Sequence, residues 1–405
     1  MQGKARNFNK ISTHFRADLD EEVAISILQN FGKAVFPGVE SATISFLQSE
    51  PAFANPTTVY VGIGGARLGE FDEHRPEGRL QNTCAAVLVA QRLGVCEKRG
   101  VKDLLHETLL GDTQQRTQPI QLGNLLKMMH RIKSGNDQLR THLWVTDAIE
   151  AIMFSRTLDE DYDIRVAWKN FREDDGVPVI KSLEDFIAKA HECRKTFVTG
   201  LGMICALMDP KMRQRWLQVT FRMLVKDAAM FEEAISEINT KSETFEVLTL
   251  GSSYMVTMIQ TDNESVGRAS SSVRTGKAAI TVIRNSRGHT QILSDHKIGL
   301  DMRWLKMMIR LAEYRAVTKK PLSEERAWGE GQISECPAWF YPNPNTLLNG
   351  SFTHPQVVRS KLTLEEIKEI LKSAFHPRKH DEWVQKYYES KKPTIVIDLE
   401  REIAR

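Results

Sequence analysis

The chain has 405 residues, 41% of them apolar and 26% charged, with a formal net charge of +3. Those proportions exclude global disorder and supply enough apolar surface for two or three domains. The charge is too small for a protein that coats nucleic acid along its whole surface, although it permits contact with phosphates. Five cysteines (Cys84, Cys96, Cys193, Cys205 and Cys336) lie far apart with no CxxC pair. That scatter argues against a thiolate zinc site and for a reducing compartment. The start "MQGKARNFNK" leads into no signal-peptide core, and the most apolar stretch, 197–208, is too short and glycine-broken to span a bilayer. The expectation is a cytoplasmic protein with no membrane partner.

In chain order, Val23, Ile27, Leu28 and Phe31 recur at helical spacing, and Gly32 stops that helix. "ATISFLQ" and "TVYVGIGG" read as strands, the second buried, and "GEFDEHR" reads as a short strand with polar residues at its end. Asn82 or Thr83 is placed to cap the helix "CAAVLVAQRLGV", and "VKDLLHETLLGD" forms the next. Strands alternating with helices of this length imply a mainly parallel sheet covered on both faces. Residues 119–241 read as largely helical, with "EDDGVPV" as a loop and Pro210 at the first turn of a long helix.

Strands return in "FEVLTLG" and "YMVTMIQ", followed by the polar segment "TDNESVGRASSSVRTG". "AAITVIR", "NSRG" and "HTQIL" read as a hairpin, and a helix covers 300–316. "WFYPNPNTLLNGSFTHP" reads as a loop, "LTLEEIKEILKSAF" as a helix, and "KKPTIVIDLE" offers a last strand. The fold class expected is α/β. A metal-site domain spans 1–118, a helical connector 119–243, a smaller α/β substrate-binding domain 244–371, and a charged tail 372–405. Trp144, Trp168 and Trp216 in the connector read as core residues; as exposed platforms they would point to single-stranded nucleic acid.

Two clusters carry the chemistry. His14, Asp18 and Asp20 fall where a strand gives way to a helix. An Asp at that place caps orphan amides. Two Asp so close repel unless a cation or a proton intervenes, and His with Asp suits Mn²⁺ or Mg²⁺. The second cluster is Asp72, Glu73 and His74, followed by Arg75 and Arg79. It reads either as a polar edge loop held by ion pairs or as the other wall of one cleft. The carboxyl ends of parallel strands are where ligands bind in open sheets. "VGIGGAR" between them is not a dinucleotide loop, because its glycines lead into no helix. Gly62, Gly64 and Gly65 instead allow close backbone approach to a ligand.

These residues resemble the DHH phosphoesterase superfamily, which includes RecJ-like exonucleases, oligonucleotide and cyclic-dinucleotide phosphodiesterases and family II pyrophosphatases. His14, Asp18 and Asp20 are similar to its first motif, and Asp72, Glu73 and His74 stand where its Asp-His-His signature would be. Asp112 in "LLGDTQ" matches a further motif Asp. The resemblance implies one or two Mn²⁺ or Mg²⁺ ions held by His14, Asp18, Asp20, Asp72, Glu73 and Asp112. It implies His74 at the scissile phosphate, helped by Arg75 or Arg79. "LLNGSFTHP" loosely resembles the family's substrate loop, which adds Asn349, Gly350 and His354, with Gly64, Gly65 and Arg287, as substrate-binding candidates. Two departures stand out. Gly62 occupies the place of a metal-bridging Asp, with Glu70 or Glu107 as candidate substitutes, and Glu73 replaces the first signature His.

The reaction implied is metal-dependent hydrolysis of phosphodiester or phosphoanhydride bonds in nucleotides, oligonucleotides or single-stranded nucleic acid. The alternative is a diverged relative that binds a nucleotide or nucleic acid without turnover, as a sensor or a complex subunit. A homo-oligomer is compatible with either.

Overall fold

The computed structural model describes residues 7–48, 51–64, 71–75, 78–112, 120–132, 138–154, 204, 207–295, 297–329, 331–343, 345–350 and 357–389. They fall into two compact units, Met1–Ala229 and Met230–Arg405. The fold is mixed α/β: a three-stranded parallel sheet near the N-terminus, helices through the middle, and a second sheet toward the C-terminus.

In the first unit, β1 (Lys10–His14) lies between β2 (Thr43–Leu47) and β3 (Thr58–Tyr60), and both pairings are parallel. Ile11 pairs with Val59 in a dry interior. A short antiparallel pair, β4 (His74–Arg75) and β5 (Gly78–Arg79), follows in the chain. The helix α1 (Leu19–Phe31) follows β1, and every residue from Leu19 to Leu28 is buried, its acidic first turn included. Around it stand α2 (Ala85–Leu93), α3 (Arg99–Asp112), α4 (Leu122–Ile132) and α5 (Gln138–Phe154). Burying an acidic helix start needs compensation within the fold, because each desolvated charge is costly.

The helix expected to start at Asn82 or Thr83 starts later, with Cys84 as N-cap. Asn82 instead takes a left-handed turn conformation (φ 53°), which its short polar side chain tolerates. Trp144 and Trp216 stack on each other, with ring centroids 5.2 Å apart, and both are buried. Their indole N–H groups donate to Thr220 Oγ1 and to the Trp144 carbonyl, each at 3.0 Å. Both rings are thus core residues with no face open to a base. Trp168 and "EDDGVPV" lie outside the described residues.

The second unit holds a seven-stranded sheet. It runs β10 (Gly331–Ile333), β11 (Cys336–Asn343), β12 (Thr346–Asn349), β9 (Thr290–Ser294), β8 (Ile280–Arg284), β7 (Ser253–Gln260), β6 (Glu243–Leu248). Only β7 and β8 pair in parallel. The expected loop "WFYPNPNTLLNG" is therefore largely two strands. Its prolines obscured the pattern: the register breaks between Phe340 and Asn343, around Pro342, which has no N–H for the ladder. Trp339 and Tyr341 point inward while Phe340 is exposed, the alternation a sheet requires. The polar segment before β8 contains a short helix, Val266–Ala269, with both end residues buried. Helices Arg303–Thr318, Leu364–Ala374 and Pro377–Glu389 complete this unit's core, and "KKPTIVIDLE" lies outside the described residues. No described helix is long and apolar enough to cross a membrane.

Candidate metal centre

The turn from His14 to Asp18 leaves the carboxyl end of β1 with its backbone held on three sides. The Phe15 amide donates to the Leu47 carbonyl at 2.7 Å, and the Arg16 amide to Gln138 Oε1 at 3.0 Å. His130 Nε2 donates to the Ala17 carbonyl at 2.8 Å. Arg16 sits in the left-handed region (φ 59°), a conformation that costs a non-glycine residue about 1–2 kcal/mol and so needs such support. Two of the three clamps come from α4 and α5, which gives the helical middle of the chain a part in shaping this turn.

Asp18 is the N-cap of α1, and Glu21 Oε2 accepts the Asp18 N–H at 2.9 Å, the return arm of a capping box. Capping therefore accounts for Asp18 and for one oxygen of Glu21. It does not account for Asp20, whose Oδ2 accepts the Ala85 N–H at 3.1 Å at the start of α2. Donor atoms of Asp18, Asp20 and Glu21 lie within 4.8 Å of one another, and so do those of Asp20, Cys84 and Asp112. Asp20 belongs to both groups. Cys84 is the N-cap of α2 and Asp112 ends α3, so three helix termini converge.

His14 points the same way. Its Nδ1 lies 3.1 Å from the Phe15 carbonyl and its Nε2 2.9 Å from Glu21 Oε1. With the proton assigned to Nδ1, the Nε2 lone pair faces the carboxylates. That is the arrangement of metal-ligating histidines, which donate their other N–H to a carbonyl or carboxylate.

Burial first, then the neighbouring negative charges of Glu21 and Asp18, pushes the Asp20 carboxyl well above the usual range. Burial and Asp18 do the same to Glu21, with Glu73 contributing. Burial also works to raise Asp18, but hydrogen bonds from Asp20 and Glu21, with the field of His14, outweigh it and hold Asp18 low. Without a counter-ion the cluster keeps protons on some of these oxygens; a divalent cation would take their place. Burial, then the fields of Asp20 and Asp112, holds the Cys84 thiol well above its ordinary range.

Gly62 is the meeting point of the two clusters. Its N–H donates to the Phe71 carbonyl at 2.7 Å, which sets the segment Asp72–His74 beside the end of β3. Its φ is +61°, and a Cβ there would lie 2.5 Å from Glu21 Cγ and closer still to Glu21 Oε1. The Glu21 carboxyl fills the space that a side chain at 62 would need. Asp72 and Glu73 are buried, and neither belongs to either donor group. His74 and Arg75 of β4 pair with Arg79 and Gly78 of β5, in a hairpin whose side chains lie outside the described residues.

Glu107 is committed elsewhere: its oxygens accept the Ile120 and Leu122 amides at 3.1 and 3.3 Å. Gly64 has a positive φ of 84°, while Gly65, Glu70 and His354 lie outside the described residues.

In the second unit the Asn349 amide donates to the Ala338 and Val358 carbonyls at 2.7 and 2.8 Å, and its oxygen accepts the Ser360 N–H at 2.9 Å. It is fully buried and holds its own loop. Gly350 (φ +65°) lies against the His289 ring, where a Cβ would come within 2.8 Å of Cδ2. Arg287 is exposed in the turn between β8 and β9. A polar cavity of about 440 Å³ opens beside that turn, at the carboxyl ends of the parallel pair β7 and β8, with Arg284 and Asp262 in its lining.

Glu21 and Cys84 are the residues that sequence reasoning missed. Glu21 carried only a capping signal, Asp-x-x-Glu, and Cys84 carried none.

No protein-family model matches the chain, and no curated protein matches it. Among solved structures, RecJ in complex with Mn²⁺ from Thermus thermophilus superimposes with a TM-score of 0.41 at 11% identity, covering 93% of this chain and 52% of that one. RecJ in complex with Mg²⁺ from the same organism gives 0.32 at 13% identity, covering 71% and 42%. A DHH domain described as a member of the s1p family of ribosomal proteins gives 0.35 at 12% identity, covering 94% and 86%. The chain spans about half the length of the RecJ structures it matches. Likenesses this loose carry no argument about activity, substrate or metal, so the functional reading rests on the residues themselves.

Proposed function

We propose that the chain is a metal-dependent phosphoesterase of the DHH type, acting on phosphodiester or phosphoanhydride bonds of nucleotides, oligonucleotides or single-stranded nucleic acid. The observation that carries this reading is the grouping of Asp18, Asp20 and Glu21, whose donor atoms lie within 4.8 Å of one another, with His14 against Glu21, at the carboxyl edge of a parallel sheet. The donor set fits a hard divalent ion such as Mn²⁺ or Mg²⁺: carboxylate oxygens and one imidazole. His14, Asp18, Asp20, Glu21 and Asp112 would hold it, with Asp72 and Glu73 from the adjoining segment. Glu21 supplies a carboxylate where Gly62 cannot.

The ion, when bound, supplies an activated water and Lewis acidity at phosphorus. The chain's own part is to keep the donors fixed and dry and to meet the charge on the phosphate. His74, with Arg75 or Arg79, is assigned to the non-bridging oxygens, where preorganised donors stabilise the transition state. Within the second unit, Arg287 is assigned to phosphate binding.

The test is hydrolysis of short oligonucleotides and a chromogenic phosphodiester by the metal-stripped chain, with Mn²⁺ added back. Turnover that requires Mn²⁺ and is lost in Asp18→Asn with the fold intact supports the reading. Turnover unchanged in that folded variant defeats it.

A second reading is favoured by the altered donors Gly62 and Glu73: a site that binds its nucleotide without hydrolysing it. Tight nucleotide binding with no turnover under any divalent ion would select it.

A further inference from the structure

In the second unit, the parallel strands β7 and β8 end at Gln260 and Arg284, and both residues line the cavity of about 440 Å³. Arg284 is half-buried. Its Nε donates to Thr290 Oγ1 and its Nη2 to the Leu362 carbonyl, each at 2.8 Å. Both acceptors are neutral, and among the described residues no carboxylate pairs with the guanidinium and no acceptor takes Nη1. Burial works against its charge more than the fields of Glu313 and Glu366 support it. A cation held in this way is a fixed donor whose charge is incompletely met.

Asp262 lines the same cavity without pairing with Arg284. Its Oδ1 accepts the Ser286 N–H at 2.9 Å, which leaves Oδ2 as an acceptor. Asn285 Oδ1 accepts the His289 N–H at 2.9 Å, which leaves the side-chain amide N–H groups as donors. A bare phosphate drawn to Arg284 would meet the Asp262 carboxylate, a like charge in the same space. The cavity instead suits a ligand that presents acceptors and donors side by side. Guanine does so: O6 and N7 accept, while N1–H and the 2-amino group donate. Adenine sets an amino donor where guanine has O6 and so offers Arg284 one acceptor fewer. Outside the cavity, Arg287 and Arg359 are exposed, and a Cβ on Gly288 would lie 3.4 Å from Arg359 Cδ.

We propose that this cavity binds the guanine base of a nucleotide. Arg284 and Asn285 donate to O6 and N7, Asp262 accepts from N1–H and the 2-amino group, and Arg287 and Arg359 meet the phosphate. This rests on the nucleotide reading above and narrows it to one base.

The experiment is calorimetric titration of the metal-stripped full chain, and of Asp262→Asn, with GMP, AMP and inorganic phosphate. Without metal, the binding measured does not depend on the Asp18–Asp20–Glu21 group. GMP should bind about tenfold or more tighter than AMP, the discrimination one bidentate contact supplies. Phosphate should bind more weakly than either. Asp262 is exposed, and Asn keeps an oxygen for the Ser286 N–H, so this variant should fold and bind GMP no better than AMP. Arg284→Lys keeps the charge without the fork and should weaken GMP more than AMP. Equal binding of GMP and AMP, a preference unchanged in Asp262→Asn, phosphate as tight as GMP, or binding of none of the three overturns the guanine assignment. Turnover that requires Mn²⁺ but comes without guanine preference defeats this inference alone. Guanine-selective binding without turnover under any divalent ion supports it and defeats the hydrolytic reading alone.

Discussion

The carboxyl group of Glu21 occupies the space that a side chain at Gly62 would fill. The two positions exclude each other, so a carboxylate reaches this spot from the first turn of α1 rather than from the end of β3. Gly62→Ala should destabilise the chain by about 1–3 kcal/mol, through its positive φ as well as the clash. Glu21→Ala should lower Mn²⁺ affinity, and the double variant Glu21→Ala/Gly62→Asp should recover part of it. Calorimetric titration of the three variants checks this; a double variant no better than Glu21→Ala would show that the space is not a ligand position.

The buried carboxyls predict a sign for the metal-free protein. Asp20 and Glu21 have raised values in the folded state, so above the ordinary carboxylate range the unfolded chain has lost protons that the folded chain keeps. Stability from these groups therefore falls as pH rises from about 4 upward. The lowered Asp18 acts oppositely, but only below that range. Mn²⁺ replaces the protons, so it should raise the melting temperature more near about pH 8 than near about pH 5.5. Thermal denaturation with and without Mn²⁺ at both values measures this, and equal shifts would contradict it.

His130 holds the Ala17 carbonyl and is itself buried, which lowers its pKa to about 4 from 6.5. A depressed histidine contributes stability that is complete above about pH 6.5 and is lost as pH falls toward about 4. The full effect is about 3 kcal/mol. His130→Gln keeps a donor for Ala17 but cannot titrate. The stability difference between wild type and His130→Gln should therefore move against the wild type between about pH 7 and about pH 5. A difference constant with pH would remove His130 from the account.

Asn349→Ala removes three hydrogen bonds of a buried side chain, to two carbonyls and an amide. The expected loss is about 2–4 kcal/mol. If that variant, refolded at low temperature, bound nucleotide as the wild type does, Asn349 would be a scaffold residue alone; weakened binding would give it the substrate contact that its place in the chain suggests.

The strands of the first sheet were legible because "ATISFLQ" and the "TVY" that opens "TVYVGIGG" carry β-branched and aromatic residues, although the glycines that follow end the second strand at Tyr60. That Asp112 lies near Asp20 could be expected only from a motif, since nothing local links residues so far apart in the chain. Glu21 was hidden by its own capping role: one carboxyl closes the helix start with Oε2 and faces His14 with Oε1. The strands Cys336–Asn343 and Thr346–Asn349 were masked by prolines, which local reading treats as loop signals but which a register shift accommodates.

The most direct measurement is calorimetric titration of the metal-stripped chain and of Asp20→Asn with Mn²⁺. Asp20 belongs to both donor groups, so the account predicts saturable binding with proton release in the wild type and none in the folded variant. Identical binding by the two proteins, or none by a folded wild type, would contradict it.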